Sequence, residues 1–301
     1  MKEILRASKD IKSLKIQGAT NVAIFASRAL LNYVLKLKEK NKKEFFAKIH
    51  KASEILGTSR NTEPTMRNSI KYLLSIIKAC EKKDIEEIKE VLRSKAWAFI
   101  EDLKKVKLEA ASIASNYIEP NSVILTHCHS GTVIEALVKA RNNVKKVYCT
   151  ETRPLYQGRL TARDLVRNKI RTTMIVDSAV ASVMDEVDLV IVGADAITAQ
   201  GHLFNKIGTY GIAIIAEEFS VPFISATSLL KYSSETLFGK HEKIDERNPN
   251  EVWENPPKGL KIINNAFDIT PRDLIEAFAT EVGVISPNSI QYNVKKKYSW
   301  I

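Results

Sequence analysis

Two short stretches of this sequence hold side chains suited to moving protons. In His127-Cys128-His129 a thiol stands between two imidazoles, after an apolar run and ahead of an expected helix whose N-terminal partial positive charge would favour a thiolate. A free cysteine is also often just a small buried hydrophobe, and the local sequence leaves both uses of Cys128 open. In Val192-Gly193-Ala194-Asp195 a carboxyl follows a dry apolar run and two small residues, so desolvation would raise its pKa and suit it to proton donation. Closing an Asx turn is the plainer use of the same aspartate. Cys149, inside an apolar run, and Cys80, on a helical stripe, are expected to be packing residues.

Two further segments could hold anions. Ser130-Gly131-Thr132 joins hydroxyls to an unhindered backbone ahead of a helix, so its N–H groups could cradle a phosphate. Asn205-Lys206-Ile207-Gly208-Thr209 repeats the device with a cation, a glycine and a hydroxyl at the start of a helix expected over Ile207 to Phe219. Two such cradles would suit a ligand with two phosphates, although Asn and Gly are also ordinary turn and cap residues. His127 and His129 lack the Glu or Cys partners of a metal site, so no metal is expected, and no cofactor.

These groups need elements to position them. Up to Tyr117 the apolar residues recur at three and four, the period of amphipathic helices, over Asn21 to Leu37, Phe45 to Leu56, Met66 to Cys80 and Ile85 to Tyr117. Glu119-Pro120-Asn121 breaks the pattern. Beyond it, short apolar runs alternate with helical segments as in a parallel sheet covered on both faces. The runs are Val123 to Thr126, Lys146 to Thr150, Thr172 to Val176, Leu189 to Val192, Pro222 to Ser225 and Leu260 to Ile263. The fold class is therefore α/β, with an N-terminal helical domain over 1–118 and a Rossmann-like parallel-sheet domain over 119–301. Open sheets of this kind bind ligands outside the carboxyl ends of their strands. Cys128, Glu151, Asp177, Asp195 and Thr227, each just past a run, are expected on one rim.

Bulk properties narrow the classes. With 301 residues, 45% apolar and 27% charged, the chain can bury a full core, and disorder is excluded as the default. Three cysteines without paired spacing argue against a disulfide framework. Met1 to Lys15 has no apolar signal region and no long uncharged run follows, so a cytoplasmic protein without a membrane partner is expected. The net charge of +11 is read as solvated lysine-rich faces, because the basic residues lack the interleaved aromatics of an RNA-binding surface. A nucleic-acid partner is not expected.

Taken together, Ile124-Leu125-Thr126-His127-Cys128-His129-Ser130, Thr150-Glu151-Thr152-Arg153-Pro154 with Gln157-Gly158, Val192-Gly193-Ala194-Asp195, Asn205-Lys206-Ile207-Gly208-Thr209 and Ala266-Phe267-Asp268-Ile269-Thr270-Pro271 resemble one superfamily. It unites the α/β/δ regulatory subunits of translation initiation factor 2B, the archaeal ribose-1,5-bisphosphate isomerases and the methylthioribose-1-phosphate isomerases. The resemblance runs from about Gln17 to Pro287 and implies a catalytic pair at Cys128 and Asp195. It implies substrate contacts at Gln17, Gly18, Ala19 and Thr20, at Arg60, at Ser130, Gly131 and Thr132, at Asn205 and Lys206, and at Lys231. The isomerase pattern has an arginine where this chain has Gln17, and after Arg60 it continues Pro-Thr where this chain has Asn61-Thr62. The expected activity is an aldose-to-ketose conversion of a sugar 1-phosphate, with ribose 1,5-bisphosphate as substrate. The alternative is a non-catalytic subunit that senses a sugar phosphate or nucleotide and binds a translation initiation factor. Either way the resemblance implies a homo-oligomer, a dimer or hexamer.

Overall fold

The computed structural model describes residues 1–13, 15–16, 18–60, 62–239, 244 and 246–301. They divide into two compact units, 1–106 with 294–301, and 107–293.

The first unit is helical. Its elements are α1 (Lys2–Lys12), α2 (Ala19–Lys36), α3 (Lys42–Gly57), α4 (Pro64–Ala79) and most of α5 (Ile85–Asn116), whose turns from Lys107 onward belong to the second unit. α2 to α5 lie where the three-and-four period predicts them. α1 was not anticipated: its charges hide a single stripe, Ile4, Ala7 and Ile11, and all three are buried. Local chemistry sets the ends. Asn41 caps α3 by accepting from Lys43 N–H at 2.8 Å and Glu44 N–H at 3.3 Å, and Pro64 opens α4 at a position that needs no N–H.

The second unit alternates strands and helices in the order β1 (Ser122–Thr126), α6 (Gly131–Lys139), β2 (Val144–Thr150), α7 (Gly158–Arg167), β3 (Thr172–Ile175), β4 (Leu189–Val192), β5 (Ala196–Thr198), β6 (Leu203–Lys206), α8 (Thr209–Glu218), β7 (Phe223–Ala226), β8 (Tyr232–Ser233), β9 (Phe267–Thr270), β10 (Ala277–Thr280) and β11 (Gly283–Ile285). α9 (Ile290–Lys297) then leads back to the first unit, where Trp300 packs 4.7 Å from Tyr72 and 6.1 Å from Phe99, ring centre to ring centre.

A seven-stranded sheet runs β11-β10-β7-β4-β1-β2-β3, with every pairing parallel except β10 with β11. Ile124 on β1, Val147 on β2, Ile191 on β4 and Ile224 on β7 join Val133 and Leu137 of α6 in one buried core. The α/β class with an N-terminal helical region is thus as the sequence predicts. One expectation is corrected and one feature is new. Leu260 to Ile263 is not a strand: it pairs with no neighbour, and Leu260 and Ile263 are 50% and 66% exposed. β10 instead pairs with β7, and its alternating alanines gave a weak strand signal. The second finding is a separate four-stranded sheet, β8-β5-β6-β9, that the sequence pattern did not reveal. No helix among the described residues is long and apolar enough to cross a membrane.

Candidate functional site

Chain order builds β1, β2 and β3 outward on one side, then jumps back to lay β4 against the other side of β1. Such a reversal opens a crevice above the two strand ends. Ile124 pairs with Leu189 and Leu125 with Val190, so the residues that leave β1 and β4 rise side by side. Cys128 and Asp195 are therefore delivered to one crevice by adjoining strands. Gly193 is required there, because a Cβ on it would lie 2.6 Å from Ser130 Oγ and 2.7 Å from Ser130 Cβ. Ser225 Oγ donates to Gly193 O at 3.0 Å and Asp195 N–H to Phe204 O at 2.9 Å, which fixes both flanks of the aspartate's backbone.

The turn after β1 is held by a directed chain of hydrogen bonds. Cys128, at φ +65, donates its N–H to Thr152 Oγ1 at 3.0 Å. Thr152 Oγ1 stands 3.3 Å from Thr150 Oγ1, which is 2.6 Å from His127 Nδ1. His127 Nε2 lies 2.9 Å from the Ile207 carbonyl, which can only accept, so Nε2 carries the proton and Nδ1 accepts from Thr150. Burial holds the His127 pKa below its usual value, which keeps the ring neutral in this role. His127 is a structural strut. His129 is tied similarly, with Nδ1 3.1 Å from Thr161 Oγ1, whose own hydroxyl donates to Cys128 O at 2.6 Å.

Cys128 is half-buried, and burial pushes its thiol up to about 11; the charge of Lys206 opposes this, while those of Asp195 and Asp177 add to it. The thiolate expected from the sequence is therefore not the resting form. Cys128 precedes the α6 N-cap, Ser130, by two residues in a left-handed conformation, and the backbone hydrogen bond at His129 that favours its thiolate does not offset burial. The same influences show that Lys206 and Asp195 lie within electrostatic reach of the sulfur.

Lys206 comes from the small sheet. It ends β6, and its ammonium lies 5.0 Å from the ring centre of Phe267, its partner on β9. Asn205 is buried and donates Nδ2–H to Thr209 Oγ1 at 3.0 Å, and Thr209 donates to Lys206 O at 2.6 Å, so this asparagine's amide holds the turn. Lys231, just before β8, donates Nζ–H to the Ala194 carbonyl beside Asp195. At α6, Ser130 caps the helix, Thr132 is buried, and Gly131 leaves room for Lys107, whose Nζ would stand 2.7 Å from a Cβ at that position. Lys107 was missed because it sits in a lysine-rich helix with no local mark. Cys128, Ser130, Gly131, Thr132, Asp195, Asn205, Lys206 and Lys231 thus gather around the carboxyl ends of β1 and β4 and the adjoining edge of the small sheet.

Residues 15–287 match the model of the initiation factor 2 subunit family. The chain belongs to this family. It is 41% identical over 295 residues to the ribose 1,5-bisphosphate isomerase of Methanocaldococcus jannaschii, covering 97% of this chain and 94% of the relative. It is 38% identical over 291 residues to the protein of the same name from Archaeoglobus fulgidus, covering 95% and 91%. Among solved structures, the 5-methylthioribose 1-phosphate isomerase of Pyrococcus horikoshii OT3 superposes with a TM-score of 0.77 at 29% identity, over 97% of this chain and 86% of that one.

The remaining positions that the family pattern marks lie in the helical unit or outside the described residues. Gly18, at φ +83, is the N-cap of α2, and Ala19 and Thr20 form its first turn. Arg60 is paired through Nη1 with Glu63 at 2.6 Å, so its charge is already partly balanced. Gln17 lies outside the described residues. Among the described residues no group of three His, Cys, Asp or Glu side chains gathers as a metal site.

Proposed function

We propose that this member of the initiation factor 2 subunit family is an aldose–ketose isomerase that converts ribose 1,5-bisphosphate to ribulose 1,5-bisphosphate. The observation that carries it is the delivery of a thiol and a carboxyl, Cys128 and Asp195, to one crevice by adjoining strands. Relatives named for this reaction support it, as does the retention of both groups.

A phosphate on C1 blocks the free aldehyde, so the ring must open as C2 loses its proton. The thiol, pushed up to about 11, is a poor base until its own proton has gone. Transfer of that proton to the Asp195 carboxylate leaves the pair's net charge unchanged and prepares both groups at once. The Cys128 thiolate then takes the C2 proton, the C1–O bond of the ring breaks, and Asp195 returns its proton to the departing ring oxygen. The resulting C1–C2 enol collapses to the ketone as Asp195 accepts the C2 hydroxyl proton and the thiol protonates C1. The substrate gains and loses equal numbers of protons, and the pair ends as thiolate and protonated carboxyl, its prepared form, from which return of the proton from Asp195 to Cys128 restores the resting state.

Binding energy at the two phosphates would align C1 and C2 with this pair. Lys206, Lys231, Asn205 and the Ser130-Gly131-Thr132 turn are assigned to hold them, with Lys107 adding a cation above that turn. Gln17, Gly18, Ala19, Thr20 and Arg60 are assigned to the substrate by the family pattern. A homo-oligomer working in the cytoplasm completes the proposal. Incubation of the pure protein with ribose 1,5-bisphosphate, followed by phosphorus and carbon NMR, should show ribulose 1,5-bisphosphate accumulating. Binding without conversion would overturn the assignment in favour of a sensing subunit.

A further inference from the structure

The turn that carries Lys206 is held from two sides by groups that the isomerisation does not use, the buried His127 and the half-buried Asp268. On one side is His127, through Nε2 and the Ile207 carbonyl at 2.9 Å. On the other is Asp268, which arrives on β9. Its Oδ2 accepts from Gly208 N–H at 2.7 Å and Tyr210 N–H at 3.1 Å. Gly208 sits at φ +101, with the His127 ring 3.3 Å from where its Cβ would be, so the backbone is pressed between the imidazole and the carboxylate. A hydroxyl or amide normally suffices to cap a helix. Here the cap is a carboxylate whose other oxygen, Oδ1, is buried without a hydrogen-bond partner among the described residues. Burial pushes the Asp268 pKa up to about 6, against the backbone N–H groups that hold it down. Retaining a desolvated charge is costly, and what it provides is two charge-assisted hydrogen bonds that fix the turn more tightly than a neutral cap.

That turn determines where the Lys206 ammonium stands. β9 grips the lysine twice, with the Phe267 ring beneath its ammonium and Asp268 behind its turn. Four groups bear on the Cys128 thiol from the elements around it. Asp195 after β4 and Asp177 after β3 disfavour the thiolate, while Lys206 at the end of β6 and a backbone hydrogen bond at His129 favour it. Lys206 is the cation among them.

We propose that Asp268 is a positioning residue for Cys128: by clamping the Gly208 turn it holds Lys206 where its charge promotes the thiolate, while itself touching neither thiol nor substrate. The inference rests on Cys128 being the proton-moving thiol. It can nevertheless be tested without sugar.

The rate of iodoacetamide alkylation at Cys128, followed by peptide mass spectrometry from pH 7 to pH 11, reports the thiolate directly. Lys206→Met should slow alkylation at a fixed pH by about tenfold, equal to about one unit of pKa. Asp268→Ala and Asp268→Asn should slow it in the same direction, Asn less than Ala. The double variant Asp268→Ala/Lys206→Met should be no slower than Lys206→Met alone. The sign is diagnostic, because losing a nearby negative charge would by itself favour the thiolate and speed alkylation. Rates at or above wild type in both Asp268 variants, or a full additive loss in the double variant, would overturn the proposal. So would an unchanged rate in Lys206→Met. Melting curves confirm folding, and Asp268→Asn serves if the alanine variant does not fold. Inactivity toward ribose 1,5-bisphosphate would sink the isomerase assignment without affecting this readout.

Discussion

The two ends of the parallel sheet contrast sharply. At the amino end lies an open cavity of about 740 Å³ lined by Asn116, Tyr117, Glu119, Lys145, Glu186 and Asp188 among others. Much of its polar chemistry is consumed locally. Lys146 pairs with Glu186 at 2.8 Å, Tyr148 donates to the same carboxylate at 3.0 Å, Tyr117 donates to Glu276, and Asp188 accepts from Val123 N–H at 2.7 Å. At the carboxyl end, hydroxyls, an imidazole and backbone amides do the holding, and the thiol, the aspartate and Lys206, of opposite influence, converge. Cavity size therefore does not locate the chemistry; what matters is which proton-moving and charged groups the strand ends bring together.

The contrast should break most visibly when the pair itself is altered. Cys128→Ser and Asp195→Asn should each lower kcat by about 10² to 10⁴-fold, the range for a lost general acid or base, with melting unchanged. Near-full turnover in either variant would remove that residue from the mechanism. A smaller effect tests the scaffold beneath the rim. A Cβ on Gly158 would fall 1.7 Å from Thr150 O, so Gly158→Ala must push α7 away from the end of β2. Overpacking of this kind costs about 1 to 3 kcal/mol. Thermal unfolding should show a Tm several degrees lower, and an unchanged Tm would mean that α7 has slack the structure does not show. The smallest effect belongs to the amino end. Glu186→Gln weakens an ion pair whose carboxylate is exposed, and pairs screened by solvent contribute little, so kcat, KM and Tm should all stay at wild-type values. A clear fall in turnover there would erase the distinction between the two ends.

The same contrast explains what could be read from sequence. β1, β2, β4 and β7 were legible because strands covered on both faces are short, apolar and bounded by turns. Their order along the chain was enough to expect Cys128 and Asp195 on one rim. The small sheet was not legible. β5, β6 and β8 are two to four residues long, and Leu203-Phe204-Asn205-Lys206 mixes apolar, amide and cationic side chains without a repeating pattern. Consequently the partners that the sheet supplies, Phe267 under Lys206 and Asp268 behind its turn, could not be anticipated. Leu260 to Ile263 shows the opposite error: three apolar residues around Lys261 look like a strand until no neighbour pairs with them. The resting state of Cys128 was misjudged because position before a helix is visible in a sequence, whereas burial in the folded chain, and the charges that Asp195, Lys206 and Asp177 bring from distant segments, are not.

The aromatic cluster of Tyr72, Phe99 and Trp300 has a bearing on how the chain acquires its fold. Two of its rings leave the ribosome before any strand of the α/β unit, and the third follows after all of them. During synthesis, then, the helical unit waits with part of its apolar surface uncovered while its neighbour in sequence is made. Its last piece of packing arrives only when translation has passed the whole sheet.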